Sequence, residues 1–132
     1  MKEIKLGEEV YAILVNHGFT EGTEWFGSQH ESLQASRMVY SAGKEFKAHV
    51  HIMNPRTIKR TQEAFVVISG KLAVDVYDRN YVLLGTLEAG AGDLVIVYRG
   101  GHGVRVLEDC VAFEIKAGSY SYVSEDKTFK QN

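Results

Sequence analysis

The stretch GKEFKAHVHIMNPRTIKRTQEAFVVISG, residues 43–70, contains two histidines two positions apart, a basic gap, and a glutamate that opens an apolar run. Alternate residues of a β-strand share one face, so a strand over residues 47–52 would present His49 and His51 together. Two imidazoles on one face can bind the same metal ion. The stretch therefore predicts either a metal site that includes Glu63 or three unrelated polar residues in an ordinary β-protein.

Short apolar runs continue on both sides of this stretch, and the chain has 13 glycines but one proline. Runs of this length between turn signals are typical of an all-β sandwich or barrel. The triplet Asp78–Asn80 predicts a hairpin turn, whereas residues 20–32 have no clear period and predict a loop or a short helix. We expect strands over residues 11–15, 33–40, 47–52, 63–69, 71–77, 81–87, 93–98, 102–108 and 110–116.

Alternation also predicts which side chains face the core. One face of residues 71–77 is apolar, which marks a half-buried antiparallel strand and assigns to the core Leu72, Val74 and Val76. His102 lies on the apolar face of residues 102–108, so we expect it to point inward, either as a ligand or as a hydrogen-bonded core residue. His17 and His30 show no such pattern, and we expect them on the surface.

The composition restricts the classes of protein that this chain can belong to. A length of 132 residues favours one domain, residues 1–132. Fifteen basic and seventeen acidic residues give a net charge of −2, which predicts neither nucleic acid nor a membrane surface as a partner. The single cysteine, Cys110, has no internal disulfide partner, and we expect a buried, inert thiol. No signal peptide or membrane span is recognisable, which favours a cytoplasmic protein.

The residues of the opening stretch resemble the first motif of the cupins, a family of small β-barrels with a metal site inside the barrel mouth. That motif has a glycine, five residues, His-x-His, a gap of usually three or four, a glutamate, six residues and a glycine. Gly43 and His49-x-His51 match its first part, and Glu63 with Gly70 matches its second. The gap of eleven residues before Glu63 departs from the family pattern and implies a longer loop at the mouth.

The second cupin motif matches less closely. Gly92 is followed at the family spacing by Tyr98, which stands in the place of a proline, and then by Gly100. Only one residue separates Gly100 from His102, where the family has two, and Val106 stands in the place of an asparagine. The resemblance covers residues 33–116, and the tail EIKAGSYSYVSEDKTF, residues 114–129, is similar to that of small bacterial cupins without a settled activity.

The resemblance implies an all-β, cupin-type double-stranded β-helix, a jelly-roll barrel. It also implies one divalent metal ion, which could be iron, manganese, nickel, cobalt or zinc, held by His49, His51, Glu63 and His102. A degenerate cupin that has lost its metal is the structural alternative.

The basic gap predicts an anionic ligand beside the metal. Arg56 and Arg60 would lie near the barrel mouth, with Arg99 adjacent from the second motif, although a basic run is often only a solvated loop. Tyr40 lies on one face of an early strand and would line the cavity. These residues predict a carboxylate, a phosphate or a sugar derivative as the ligand.

Two functions fit these expectations. The first is a metal-dependent dioxygenase, isomerase or lyase, and the second is a non-catalytic module that binds or senses a small ligand. We also expect a homodimer, because the apolar run YAILV, residues 11–15, would form a sheet edge that needs protection.

Overall fold

The computed structural model describes residues 1–118 and 127–131, and these residues form an all-β fold without helices, so none of them belongs to a helix that could span a membrane. The all-β class expected from the sequence is confirmed. The strands are β1 (Lys2–Leu6), β2 (Glu9–Val15), β3 (Gly22–Phe26), β4 (Ala35–Val39), β5 (Glu63–Tyr77), β6 (Leu83–Gly90), β7 (Leu94–Val97) and β8 (Gly101–Lys116).

Six of these strands form one antiparallel sheet that curls into a half-barrel. Its order is β1-β2-β7-β5-β6, and β8 pairs along the other side of β5. Strands β7 and β6 share one edge of β5, since β7 pairs with residues 63–66 and β6 with residues 71–77. Strands β3 and β4 form a separate two-stranded ribbon.

The pairing of β5 with β8 is irregular around Gly70, and such bulges bend a strand. The ladder between these strands runs from Glu63 opposite Lys116 to Tyr77 opposite Gly101, and its register shifts three times between Val67 and Leu72. Gly70 has φ +75°, and a Cβ there would lie 1.9 Å from the carbonyl oxygen of Asp109. Only glycine allows this conformation together with so close an approach. The glycine therefore bends one long strand, where the sequence predicted two shorter ones, and β8 likewise joins two predicted strands.

Two apolar clusters lie on opposite faces of the curled sheet. The inner cluster lies on the concave face and includes the predicted core residues, with Leu72 3% exposed and Val74 and Val76 fully buried. The outer cluster lies under the β3–β4 ribbon, which contributes Phe26. Cys110 is only half-buried against the inner cluster, not fully buried as expected. The inner cluster also contains Tyr11, Leu14, Phe65, Val67, Leu87, Val95 and Val97, and the outer cluster contains Ile13, Val15, Ala64, Ile96 and Tyr98.

The predicted strand over residues 47–52 does not form, and residues 40–62 contain neither helix nor strand. Val50 and Ile52 are 91% and 92% exposed. Alternation along a segment produces a strand only when another strand satisfies its main-chain hydrogen bonds, and no described strand pairs with this segment. Two strands were not predicted, β1 and β3, because charged side chains interrupt their apolar pattern.

The edges of the main sheet differ from the expected ones. The run YAILV belongs to β2, which lies between β1 and β7, so the prediction that it forms an edge is wrong. The described residues leave three strands of this sheet with an unpaired edge, β1, β6 and β8. Strand β1 is short and rich in charge, which discourages pairing. Strand β8 is 16 residues long and pairs only with β5, so it offers the longest unpaired edge for another strand.

An ion pair on the convex face ties β5 to β8 and predicts a pH dependence of stability. The Asp75 carboxylate accepts hydrogen bonds from Arg105 at 2.7 and 2.9 Å and from the Thr86 hydroxyl at 2.6 Å. The Arg105 hydrogen bonds and then that of Thr86 lower the pKa of Asp75 from 3.8 to about 2. Because the folded pKa is the lower one, the stabilisation is complete above about pH 4 and is lost as the pH falls towards 2.

Asp75→Asn is therefore expected to remove part of the fall in stability between pH 4 and pH 2. Urea unfolding at a series of pH values measures this slope. Thr86→Val is the matched control, because it removes one hydrogen bond but leaves the carboxylate, so most of the slope should remain. An unchanged slope in Asp75→Asn would contradict the assignment.

Candidate metal centre

A buried carboxylate and an imidazole meet on the concave face of the half-barrel. Glu63, the first residue of β5, and His102, the second residue of β8, are joined by a contact of 2.7 Å between Oε2 and Nε2. The Glu63 side chain is 5% exposed and that of His102 is 26% exposed. Since an ionised carboxylate can only accept, Nε2–H of His102 is the donor. The sequence predicted that His102 points inward, and its register opposite the buried Val76 agrees with that prediction.

The two residues meet only because the sheet curls. A strand rises about 3.3 Å per residue, so the 15 residues of β5 would span roughly 45–50 Å if they were straight. Glu63 stands at one end of β5, whereas Val76, the ladder partner of His102, stands near the other. The bend at Gly70 folds the two halves of the strand towards each other. The Phe65 ring lies 5.9 Å from the imidazole of His102 and packs beside the pair.

The electrostatic environment keeps Glu63 ionised although it is buried. The hydrogen bond from His102 has the largest effect on the pKa of Glu63 and lowers it, and burial opposes this change. The charge of His102, then that of Lys127, and a hydrogen bond with Glu114 lower the pKa further. Metal binding requires a deprotonated carboxylate and a neutral imidazole. Oε2 and Nε2 are common ligand atoms and already lie within hydrogen-bond distance. As placed, Nε2 carries the proton of the hydrogen bond to Oε2, so this proton would have to leave before both atoms could bind one ion.

The other two predicted ligands lie apart from this pair. His49 and His51 are exposed in the segment without regular structure, although their rings are neighbours, with centroids 5.1 Å apart. Nδ1 of His49 lies 3.0 Å from the carbonyl oxygen of Lys47. No group of three or more His, Cys, Asp or Glu side chains capable of holding a metal ion occurs within residues 1–118 and 127–131. The four predicted ligands thus lie in two separate pairs, and the binding of one metal ion by all four remains a prediction.

Two of the three predicted anion-binding arginines form ion pairs with carboxylates. Arg99 binds Glu31, and its second nitrogen lies 2.7 Å from Glu9. Arg60 lies 3.6 Å from Glu31. These partners reduce the positive charge that either side chain can offer to an anion, whereas Arg56 is exposed in the long segment.

The remaining predicted ligand-binding residue, Tyr40, follows β4. Its hydroxyl lies 2.8 Å from the hydroxyl of Thr23, and its ring packs edge-to-face against Phe46 at 5.1 Å. Tyr40 thus helps to hold the β3–β4 ribbon. His17 and His30 are exposed outside the strands, as expected.

A buried polar network on the outer side of β5 was not predicted. Gln62 is 1% exposed. Its Nε2 donates to Glu31 at 2.5 Å, and its Oε1 accepts from the main-chain N–H of Leu33 at 2.8 Å. The sequence placed Gln62 on the face opposite to Glu63, which agrees with these partners. Glu31 accepts hydrogen bonds from Gln62 and Arg99. Both residues are distant from Glu31 in the sequence, so no local pattern predicts these contacts.

The C-terminal residues lie beside the end of β5 that pairs with His102. The Tyr81 hydroxyl donates to the carbonyl oxygen of Thr128 at 2.8 Å. The ammonium of Lys130 lies 4.9 Å from the centre of the Tyr77 ring. Residues 119–126 of the tail that resembles small bacterial cupins lie outside the described residues.

Comparisons of this chain with protein-family models, with curated proteins and with solved structures found no match. Any function of this chain is therefore inferred from its fold and from the geometry of the Glu63–His102 pair.

Proposed function

We propose that this chain is a metal-binding protein with a cupin-type barrel. Residues 47–52 complete the sheet by pairing with the free edge of β8 at residues 101–108. Three observations support this proposal. The sheet is already half a barrel, this edge is unpaired among the described residues, and the segment is an exposed chain with strand-like alternation. If residues 47–52 form a strand there, His49 and His51 share one face of it. Both histidines then point towards the concave face, or both point away from it.

The observation that carries the proposal is the buried contact between Glu63 and His102. A carboxylate and an imidazole on a concave face, with one partner still accessible, provide two ligands of a mononuclear centre. With His49 and His51 the set has three nitrogen atoms and one oxygen atom, which suits iron, manganese, nickel, cobalt or zinc. A bound ion of this kind polarises an oxygen atom of a ligand as a Lewis acid.

The ligand class that this site favours is a small organic anion, such as a carboxylate, a phosphate or a sugar derivative. Its acid oxygen atoms would occupy the coordination positions that the protein leaves open. A dioxygenase, an isomerase and a lyase all use such a centre. A module that binds the anion without turnover uses the same residues. Turnover of a panel of small anions by the metal-loaded protein distinguishes the enzyme from the binding module.

The test of the proposed function is the metal stoichiometry of the purified protein. Equilibrium dialysis against each of the five divalent ions, followed by elemental analysis, should give close to one bound ion per chain. Binding of less than a tenth of an equivalent for all five ions would overturn the proposal.

We further propose a homodimer that forms along residues 110–116 of β8, next to the edge assigned to residues 47–52. Three alternate residues of this part of the strand are exposed on one face, by 57%, 64% and 49%, namely Val111, Phe113 and Ile115. Antiparallel pairing of β8 with its copy, centred on Phe113, places each Val111 opposite the Ile115 of the other copy. A two-fold axis requires such a self-complementary surface.

Phe113→Lys is expected to convert the dimer to a monomer, because it puts two like charges opposite each other at the centre of the contact. Light scattering at a series of protein concentrations measures the mass. Val82→Lys is the control, since Val82 is 58% exposed but lies in the β5–β6 connection. A wild-type protein that stays monomeric at high concentration would refute the dimer.

A further inference from the structure

We propose that a cavity beside the β3–β4 ribbon binds a neutral molecule rich in hydroxyl groups, of the size of a hexose. The cavity lies between the ribbon and strands β1 and β2, and it measures about 560 Å³, a volume typical of small-molecule sites. It is separate from the Glu63–His102 pair, and the inference does not depend on a metal ion. The lining residues that carry the argument are Glu9, Glu24, Trp25, Gly27, Tyr98 and Arg99.

Two buried polar atoms of this lining have no hydrogen-bond partner among the described residues. They are the hydroxyl oxygen of Tyr98 and Nε of Arg99. Tyr98 is 1% exposed, and the side chain of Arg99 is 14% exposed. Buried polar groups in proteins nearly always form hydrogen bonds, so these two exceptions call for an explanation. Because the guanidinium N–H and the phenol hydroxyl are both donors, they fit acceptor oxygen atoms of a ligand.

The hydroxyl of Tyr98 lies beneath the start of the connection between β3 and β4. Gly27, the residue after β3, has φ +92°, and a Cβ there would lie 2.5 Å from the hydroxyl oxygen. A side chain at this position would therefore collide with the hydroxyl. Residues 27–34 form neither helix nor strand, and the ligand reaches the hydroxyl when this connection shifts outward.

The carboxylates of the cavity supply hydrogen-bond acceptors and little free negative charge. Four of the five glutamates in the lining form ion pairs, and the fifth is the exposed Glu8. Glu9 binds Arg99 through Oε1. Glu24 binds Arg37 through Oε2. The second oxygen of each of these two carboxylates takes part in neither contact, so it can accept a hydrogen bond from a ligand hydroxyl.

Trp25 gives the cavity an apolar surface on which a sugar ring can pack. This residue of β3 is 67% exposed although it lines the cavity. The face of an aromatic ring is electron-rich and attracts the C–H groups of a pyranose. Two donors, two acceptors and an aromatic face together match a hexose, because each sugar hydroxyl both donates and accepts.

The test uses the fluorescence of Trp25, which is the only tryptophan of the chain. Titration of the metal-free protein with glucose, galactose and mannose should give a saturable change for at least one sugar, with a dissociation constant in the millimolar range. Tyr98→Phe should weaken this binding about five- to tenfold, since one net hydrogen bond is lost. Its melting temperature should not fall, because the hydroxyl has no partner in the free protein. Tyr77→Phe is the matched control, and it should bind the sugar as the wild type does, because Tyr77 lies outside the cavity lining.

Trp25→Ala is a second variant whose side chain is too exposed to be needed for folding. Nuclear magnetic resonance titration should show that it binds the sugar about tenfold more weakly. The inference is overturned if none of the three hexoses saturates the protein, or if Tyr98→Phe keeps the wild-type affinity. A fall in the melting temperature of Tyr98→Phe would also overturn it, since the hydroxyl would then already have a partner. Saturable binding of the diamine putrescine without binding of any sugar would show that the cavity selects cations instead.

Discussion

Replacing Gly70 with alanine is expected to lower the free energy of unfolding by roughly 3 kcal/mol or more. The new Cβ would lie 1.9 Å from the carbonyl oxygen of Asp109, and the residue would keep φ +75°. The obstacle is main chain and not a flexible side chain, so the strands would have to separate at the bend. Since folded domains are stable by only about 5–15 kcal/mol, this loss is large. Urea unfolding at neutral pH measures it.

Two glycines serve as controls for the separate parts of this effect. Gly7 has φ +60° and nothing within 4 Å of the position of a Cβ, so Gly7→Ala isolates the cost of the left-handed conformation, about 1–2 kcal/mol. Gly103 lies in β8 with open space around it, so Gly103→Ala should change stability by less than about 0.5 kcal/mol. A Gly70→Ala variant no less stable than Gly7→Ala would show that the strands do not approach each other at this bend.

Replacement of both His49 and His51 with alanine is expected to abolish stoichiometric metal binding. Two of the four proposed ligands are lost, and the remaining carboxylate and imidazole compete poorly with water for the ion. Both residues are exposed in a segment without regular structure, so the fold should be unaffected. Equilibrium dialysis gives the occupancy, and circular dichroism checks the fold. Full occupancy in the double variant would show that the segment supplies no ligand.

Two single variants make the ligand assignment specific. His102→Ala should weaken metal binding by roughly ten- to a hundredfold or more. His30→Ala should change nothing, because His30 is exposed and distant in the sequence from the proposed ligands. An unchanged affinity in His102→Ala would remove that residue from the site. Two histidines and one glutamate would remain, which is the ligand set of an iron facial triad.

Much of the sheet could be predicted from local patterns. Alternation along residues 71–77 correctly predicted that Val74 and Val76 are buried, because the sheet has one solvated face in that region. The turn at Asp78 was also predicted correctly, and its carboxylate accepts hydrogen bonds from the main chain of Asn80 and Val82. Both features depend on residues close together in the chain.

The features that were not predicted depend on distant contacts. The sequence suggested that Gly70 ends a strand, yet it bends one, because the carbonyl of Asp109 from β8 faces it. Arg99 was assigned to an anion, but Glu31 binds it through a contact between distant parts of the chain. Residues 47–52 have the alternation of a strand without a partner strand. In each case the outcome depends on which segment lies opposite, and a single sequence does not specify that.

The ladder between β5 and β8 has a consequence for the order in which the chain folds. Strands β6 and β7 both lie between its two members along the chain, so the hairpin of β5 and β6 can form from near neighbours, whereas β8 must close a much longer loop. Contacts between distant residues form slowly, because chain entropy is lost before they stabilise anything. Glu63 belongs to β5, which takes part in the local hairpin, and His102 belongs to β8, which joins later. Chains that have formed only the local hairpin therefore hold the carboxylate and the imidazole apart, and the contact between them reports that β8 has joined β5.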